Sequence, residues 1–194
     1  MPTIDSSTGG YLQPGALSPP IGDASLEAIF QAAITGITGL PGNMIRPMWQ
    51  PSPPKMPEPS VTWAAMGIAA TTPDAGPYIE HQPGGSGTDS YQRHEDIELF
   101  CTFYGPQGQS YASAFRDGLA IPQNNEALGL QGVSWVECGP LRSAPELFNQ
   151  QWIRRYDLTI RFRRQVKRTY QVLNILSSSD VLVSDTIGTI KHNP

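Results

Sequence analysis

The chain has only two cysteines in 194 residues, Cys101 and Cys138, on separate predicted strands and with no CxxC spacing. That spacing excludes a disulfide scaffold or a zinc site and predicts two buried thiols. His81, His94 and His192 are scattered over loops, a strand start and the C-terminal tail, so neither HExxH nor a paired metal site can be assembled from them. No GxSxG elbow, GxxxxGK[ST] phosphate loop or GxGxxG turn occurs, and Gly84-Gly85-Ser86-Gly87 reads as a loop tip. Pro73-Asp74 has no downstream Glu-x-Lys with which to hold two metals. The expectation is a protein without a cofactor and without the residue constellation of an enzyme. No stretch approaches the roughly 20 apolar residues of a membrane span. The start, MPTIDSSTGG, lacks the basic and apolar regions of a secretory signal, which predicts a soluble product made inside the cell, with no membrane partner.

What the chain does have is an uneven charge. Seven of its thirteen lysines and arginines, Arg154, Arg155, Arg161, Arg163, Arg164, Lys167 and Arg168, fall in fifteen residues that alternate like a β-strand. Seven positives against Asp157 leave +6 there, and six positives against sixteen carboxylates leave −10 elsewhere. Such a stripe meets phosphate, with steep salt dependence, or the acidic surface of another copy of the chain, or it is a solvated sheet face. A single-strand binder interleaves aromatics with its charges. Here Trp152, Tyr156 and Phe162 have the opposite parity to Arg155, Arg161 and Arg163, which favours protein assembly over a nucleic-acid-binding module.

The organisation follows from periodicity and breakers. Residues 1 to 22, rich in Gly, Pro, Ser and Thr, read as a flexible arm. Asp23 is placed to cap a helix whose apolar face is Leu26, Ile29, Phe30, Ala33, Ile34 and Ile37, stopped by Gly39, Pro41 and Gly42. Seven prolines between Pro41 and Pro59 make a stiff strap that cannot be a central strand. A buried strand is predicted at Val61 to Ala70, a long loop at 71 to 90, and a second strand at Tyr91 to Tyr104. There follow a helix from about Gln109 to Ala120, a short helical turn near Asn125 to Leu130, a strand from Gly132 to Cys138 and a polar loop to Gln150. The basic strand, about Gln151 to Arg168, alternates Trp152, Tyr156, Leu158, Ile160 and Phe162 with charged residues, and at that length projects beyond its sheet. The prediction is α+β: a two-layer, mainly antiparallel four- to five-stranded sheet with two helices on one face, forming a single domain over 23 to 176, with extended N- and C-terminal arms.

Three long phrases carry a resemblance: RPMWQPSPPKMPEPSVTW at 46 to 63, FYGPQGQSYASAFRDGLAIPQN at 103 to 124 and GPLRSAPELFNQQWIRRYDLTIRFRRQVKRTY at 139 to 170. The set resembles the neck or tail terminator proteins of long-tailed bacteriophages over about Leu40 to Leu176. The resemblance implies a small α+β subunit assembled in the host bacterial cytoplasm and located in the virion at the head–tail junction. It also implies a hexameric ring on the tail tube protein that ends tail polymerisation and offers a docking surface to a head-completion or connector protein; the alternative within the same junction is another neck ring, such as a head-completion protein. The tail sheath is a further candidate partner, and genomic DNA would pass through the lumen without sequence-specific binding.

A ring needs one patch of each subunit to meet a different patch of the next. On this reading Arg154, Arg155, Arg161, Arg163, Arg164, Lys167 and Arg168 face either a neighbouring subunit or the DNA passage. Glu95, Asp96 and Glu98 are the candidate acids of that neighbour. The tail residues Val181, Val183, Ile187 and Ile190 are candidates for an arm that adds as an edge strand to an adjacent subunit or ring, or to the sheet of their own chain.

Overall fold

Leu26, Phe30 and Ile34 recur every four residues, and helix α1 (Asp23–Thr38) buries all three. Gly39 ends it in the left-handed region, at φ 73°, and donates its N–H to the Thr35 carbonyl. Asp23 does not cap the start as the sequence suggests; it is the first helical residue, and no side chain caps that end. Its carboxylate instead meets the positive end of the helix. The computed structural model describes residues 5–7, 9–15 and 22–175. The tail residues Val181, Val183, Ile187 and Ile190 lie outside the described residues.

A 3-10 turn (Gly42–Met44) leads into β1 (Ile45–Pro47), which runs parallel to β2 (Trp63–Pro73). Strands β3 (Tyr78–Gln82) and β4 (Thr88–Tyr104) follow, then helices α2 (Gly108–Leu119) and α3 (Pro122–Gly129). The chain continues through β5 (Val133–Cys138), β6 (Arg142–Ser143), β7 (Glu146–Phe148), β8 (Gln151–Ile153) and β9 (Arg155–Tyr170). The main sheet has seven strands along the path β1-β2-β4-β9-β5, with β3 on β4 and β6 on β9; β7 and β8 form a separate hairpin. Every pairing except β1 with β2 is antiparallel.

Alternation sets the two faces. Met66, Ile97, Leu99, Cys101, Phe103, Leu158, Ile160 and Phe162 lie on the helix side and are fully buried. Phe30 of α1 meets Phe162 with ring centroids 4.8 Å apart, and Phe115 of α2 meets Phe103 at 6.4 Å. The second layer comprises three helices, because Pro122 restarts the chain as α3 and Leu128 is buried against the core. Cys101 is buried and Cys138 half-buried, both as free thiols. Burial pushes both thiols up from their usual pKa.

The structure corrects the sequence reading in two stretches. Residues 71 to 90 are not a loop. β2 runs on to Pro73, β3 pairs with β4, and β4 begins at Thr88, so the stretch supplies strands to a ribbon of β3, β4 and β9. Residues 140 to 150 contain β6 and β7, so β8 and β9 are two strands, and Trp152 on β8 is 70% exposed rather than part of the core. The described pieces of the N-terminal arm follow the end of β9, where Gly15 N–H donates to the Thr169 carbonyl and Ser6 N–H to the Gln171 carbonyl. Among the described residues no helix is long and apolar enough to cross a membrane.

Candidate assembly surface

Strand β9 pairs with β4 along its whole length, from Tyr104↔Arg155 to Asp89↔Tyr170. The fully buried residues of the pair begin at Ile97 and Phe162 and run toward Tyr104 and Arg155. Beyond them no residue of β4 or β9 is fully buried, and with all of β3 exposed beside it this outer half forms a ribbon outside the buried core. Tyr78 and Ile79 on β3 are 59% and 57% exposed, one on each face of the ribbon edge.

The basic stripe divides according to which carboxylates lie opposite. Arg155 is held by Asp157 through two hydrogen bonds of 2.9 and 3.1 Å and by Glu146 at 3.3 Å. The Asp157 carboxylate raises the pKa of Arg155 further above its usual range. Arg161 pairs with Glu137 at 3.2 Å on the exposed face. Arg163 reaches Asp96 at 3.3 Å and Asp74 at 3.4 Å. Arg164 donates to Glu95 Oε2 from Nε and Nη2 at 3.1 and 3.0 Å, and both side chains are largely buried, at 13% and 16% exposure. Glu95 and Asp96, expected to meet a neighbour's arginines, therefore pair with Arg164 and Arg163 of their own chain. Glu98 is exposed and stands opposite Arg161 in register, while the Arg161 guanidinium turns to Glu137. Lys167 is exposed and also has an interaction partner, and Arg154 is exposed on the link between β8 and β9.

Arg168 differs: its Nε is buried and has no hydrogen-bond acceptor among the described residues. Arg93, which the sequence reading missed, is in the same condition. Its parity was the available signal, because Arg93 shares the face of Ile97 and Leu99 two and three alternations further along β4.

On the sheet face away from the helices, Trp63 stacks on Tyr104 with centroids 4.3 Å apart and planes 8° from parallel. Arg46 caps the Trp63 side at 5.4 Å and Arg155 the Tyr104 side at 5.9 Å. The proline-rich strap lies over this ladder and borders an open cleft of about 450 Å³ lined by Trp49, Met56, Trp63, Phe100 and Tyr104 among others. A second groove, of about 520 Å³, opens on the helix layer between Ala28, Ala32 and Gly36 of α1 and Ala127 of α3. No cluster of three or more histidine, cysteine or carboxylate side chains suited to a metal occurs among the described residues.

The fold is a two-layer α+β arrangement with a charged ribbon and open apolar grooves, features that protein–protein interfaces use. A family model of phage neck terminator proteins matches residues 24–190, most of the chain, and the chain belongs to that family. The family is structural, and a neck protein is a virion component at the head–tail junction that contacts other head or tail proteins. A search of curated proteins found no match.

Proposed function

We propose that copies of this chain close into a ring, of six subunits, that caps the last ring of the tail tube. The ring ends tube polymerisation and presents its other side to a head-completion or connector protein. It works by geometry and binding, without turnover, and genomic DNA passes through its lumen without sequence-specific contact. In a contractile particle the tail sheath is a further neighbour.

The carrying observation is the ribbon. Its outer half lies outside the buried core, so each subunit has a part beyond its own core, with Tyr78 and Ile79 exposed on it. A heterologous contact of this kind generates a ring when the rotation between subunits closes. Neutralisation of Arg155, Arg161, Arg163 and Arg164 within the chain argues against a continuous phosphate track along β9.

The test is gold-labelled antibody imaging of virions that carry the protein, together with negative-stain imaging of the purified chain. Label at the head–tail junction and closed rings of the isolated protein are expected. Label on the capsid faces or along the tail, with the epitope verified on denatured particles, would overturn the proposal.

A further inference from the structure

We infer that Arg93 and Arg168 form an oxyanion site that takes a carboxylate from a second copy of this chain, an inference that rests on the ring reading. Arg93 stands opposite Val166 and Arg168 opposite Tyr91, so the two arginines are diagonal neighbours on one face of the β4–β9 ribbon. Diagonal positions lie roughly 7–8 Å apart, close enough for two long side chains to converge on one ligand.

Two observations show that the site is incomplete among the described residues. Among the described residues the Nε of each arginine is buried without an acceptor, an arrangement that costs free energy and leaves each guanidinium short of an oxygen. The carboxylates nearest on the same face are already engaged: Glu95 by Arg164 at 3.0 Å and Asp89 by His81 at 2.7 Å. The site is also held in place, since the Arg93 guanidinium lies 5.7 Å from the Tyr91 ring centre and Tyr91 meets Tyr170 edge-on at 6.3 Å. A planar guanidinium fixed against an aromatic ring is pre-organised for carboxylate, and Tyr and Arg recur at the energetic centres of protein interfaces.

The second copy offers a complementary face. The α1–α3 groove is apolar, and Glu27 and Glu126 are next in sequence to its lining residues Ala28 and Ala127. No cation pairs with either glutamate among the described residues. The groove would receive exposed Ile79 of the ribbon, which stands opposite Tyr91 and so shares the face of the two arginines, while the glutamates reach the arginines. Because ribbon and groove are different patches of one subunit, the contact propagates around a ring and is not satisfied by a single pair.

The experiment measures sedimentation of the purified full chain, wild type against R93E/R168E, with R93Q/R168Q as a milder variant and circular dichroism to verify folding. The charge reversal is expected to weaken self-association by at least roughly tenfold, and adding E27R/E126R to the reversed chain should restore it. A folded R93E/R168E chain that assembles as the wild type does, or failure of the swap to restore assembly, would overturn the inference and leave the ring reading standing. A wild type that stays monomeric at every concentration would remove the ring reading itself. Loss of binding to a duplex DNA probe by R93Q/R168Q, with self-association unchanged, would overturn the inference in favour of phosphate.

Discussion

Asn174 Oδ1 lies 2.8 Å from Nε2 of His81, a residue 93 positions earlier in the chain. The Asn174 side-chain N–H groups donate to the carbonyls of Pro83 and Gly85, at 3.0 and 3.3 Å, so its amide cannot turn over without setting oxygen against oxygen. Oδ1 is thereby fixed as an acceptor, and His81 Nε2 must donate. Nδ1 of the same ring faces Asp89 Oδ1 at 2.7 Å, a second acceptor. Both ring nitrogens therefore carry protons in this arrangement, and the clamp at the β3–β4 tip is complete only with the imidazolium.

The hydrogen bond to Asp89 comes first, and that to Asn174 second, in raising the His81 pKa above 6.5. The sign follows: the contribution is fully present below 6.5 and is lost as pH rises through the raised value. Because His81 is well exposed, the effect is local. In an NMR titration, the Asn174 side-chain amide and its backbone N–H, which donates to Ser86, should both shift with an apparent pKa above 6.5. The substitution H81F should abolish that titration. An Asn174 signal indifferent to pH between 5 and 9, a span of about four units around the ordinary histidine range, would contradict the clamp.

Arg164 and Arg161 make the same kind of ion pair in different surroundings, and their deletion should differ accordingly. Arg164 and Glu95 are 13% and 16% exposed, so R164A leaves a largely desolvated carboxylate and should cost about 2–3 kcal/mol. Arg161 and Glu137, 46% and 62% exposed, are screened by water, and R161A should cost below about 1 kcal/mol. Urea midpoints of the two variants check the order, and equal losses would refute it.

Gly105 and Gly67 both face a close neighbour, but only one neighbour can move. Gly105 adopts φ +92°, and a Cβ there would run into the Val61 carbonyl oxygen. G105A combines backbone strain with a main-chain collision and should destabilise by about 3 kcal/mol. At Gly67 a Cβ would come within 2.5 Å of the end of the Trp49 ring, a side chain already 69% exposed. G67A should displace Trp49 and alter its fluorescence with a loss nearer 1 kcal/mol, roughly the cost of a minor repacking. Thermal melts with intrinsic fluorescence separate the two outcomes.

The parts of this fold that the sequence discloses are those whose stability is local or strictly periodic. Leu26, Phe30 and Ile34 announce α1, and Ile97 to Phe103 against Leu158 to Phe162 announce the two central strands, because burial on one face imposes the period. The strands at 71 to 90 were hidden for the complementary reason. Thr71, Thr72 and Pro73 have no apolar alternation, and their pairing partners Ile97, Asp96 and Glu95 lie more than twenty residues away in sequence. The basic stripe was plain in the sequence, but its neutralisation was not, since Asp96↔Arg163 and Glu95↔Arg164 are decided by the β4–β9 register. Arg93 escaped notice because an isolated arginine gains meaning only when Arg168 is brought beside it.

Thr102 offers a last and opposite kind of prediction, a substitution that should help. It lies on the sheet face covered by the strap, is fully buried, and its Oγ1 has no hydrogen-bond partner among the described residues. A buried hydroxyl without a partner opposes folding, whereas valine has the same shape and an equal preference for strands. T102V should therefore raise stability by about 1 kcal/mol, seen as a higher urea midpoint with an unchanged slope. Thr102 also lines the cleft between the strap and the Trp63–Tyr104 stack. Measuring assembly alongside stability makes the result informative in both directions. If T102V is more stable and assembles normally, the hydroxyl is a tolerated cost of the core. If it is more stable yet assembles poorly, the hydroxyl is reserved for a partner that enters beneath the strap. A lower midpoint would refute the prediction, because it would mean that Oγ1 is satisfied within the folded subunit.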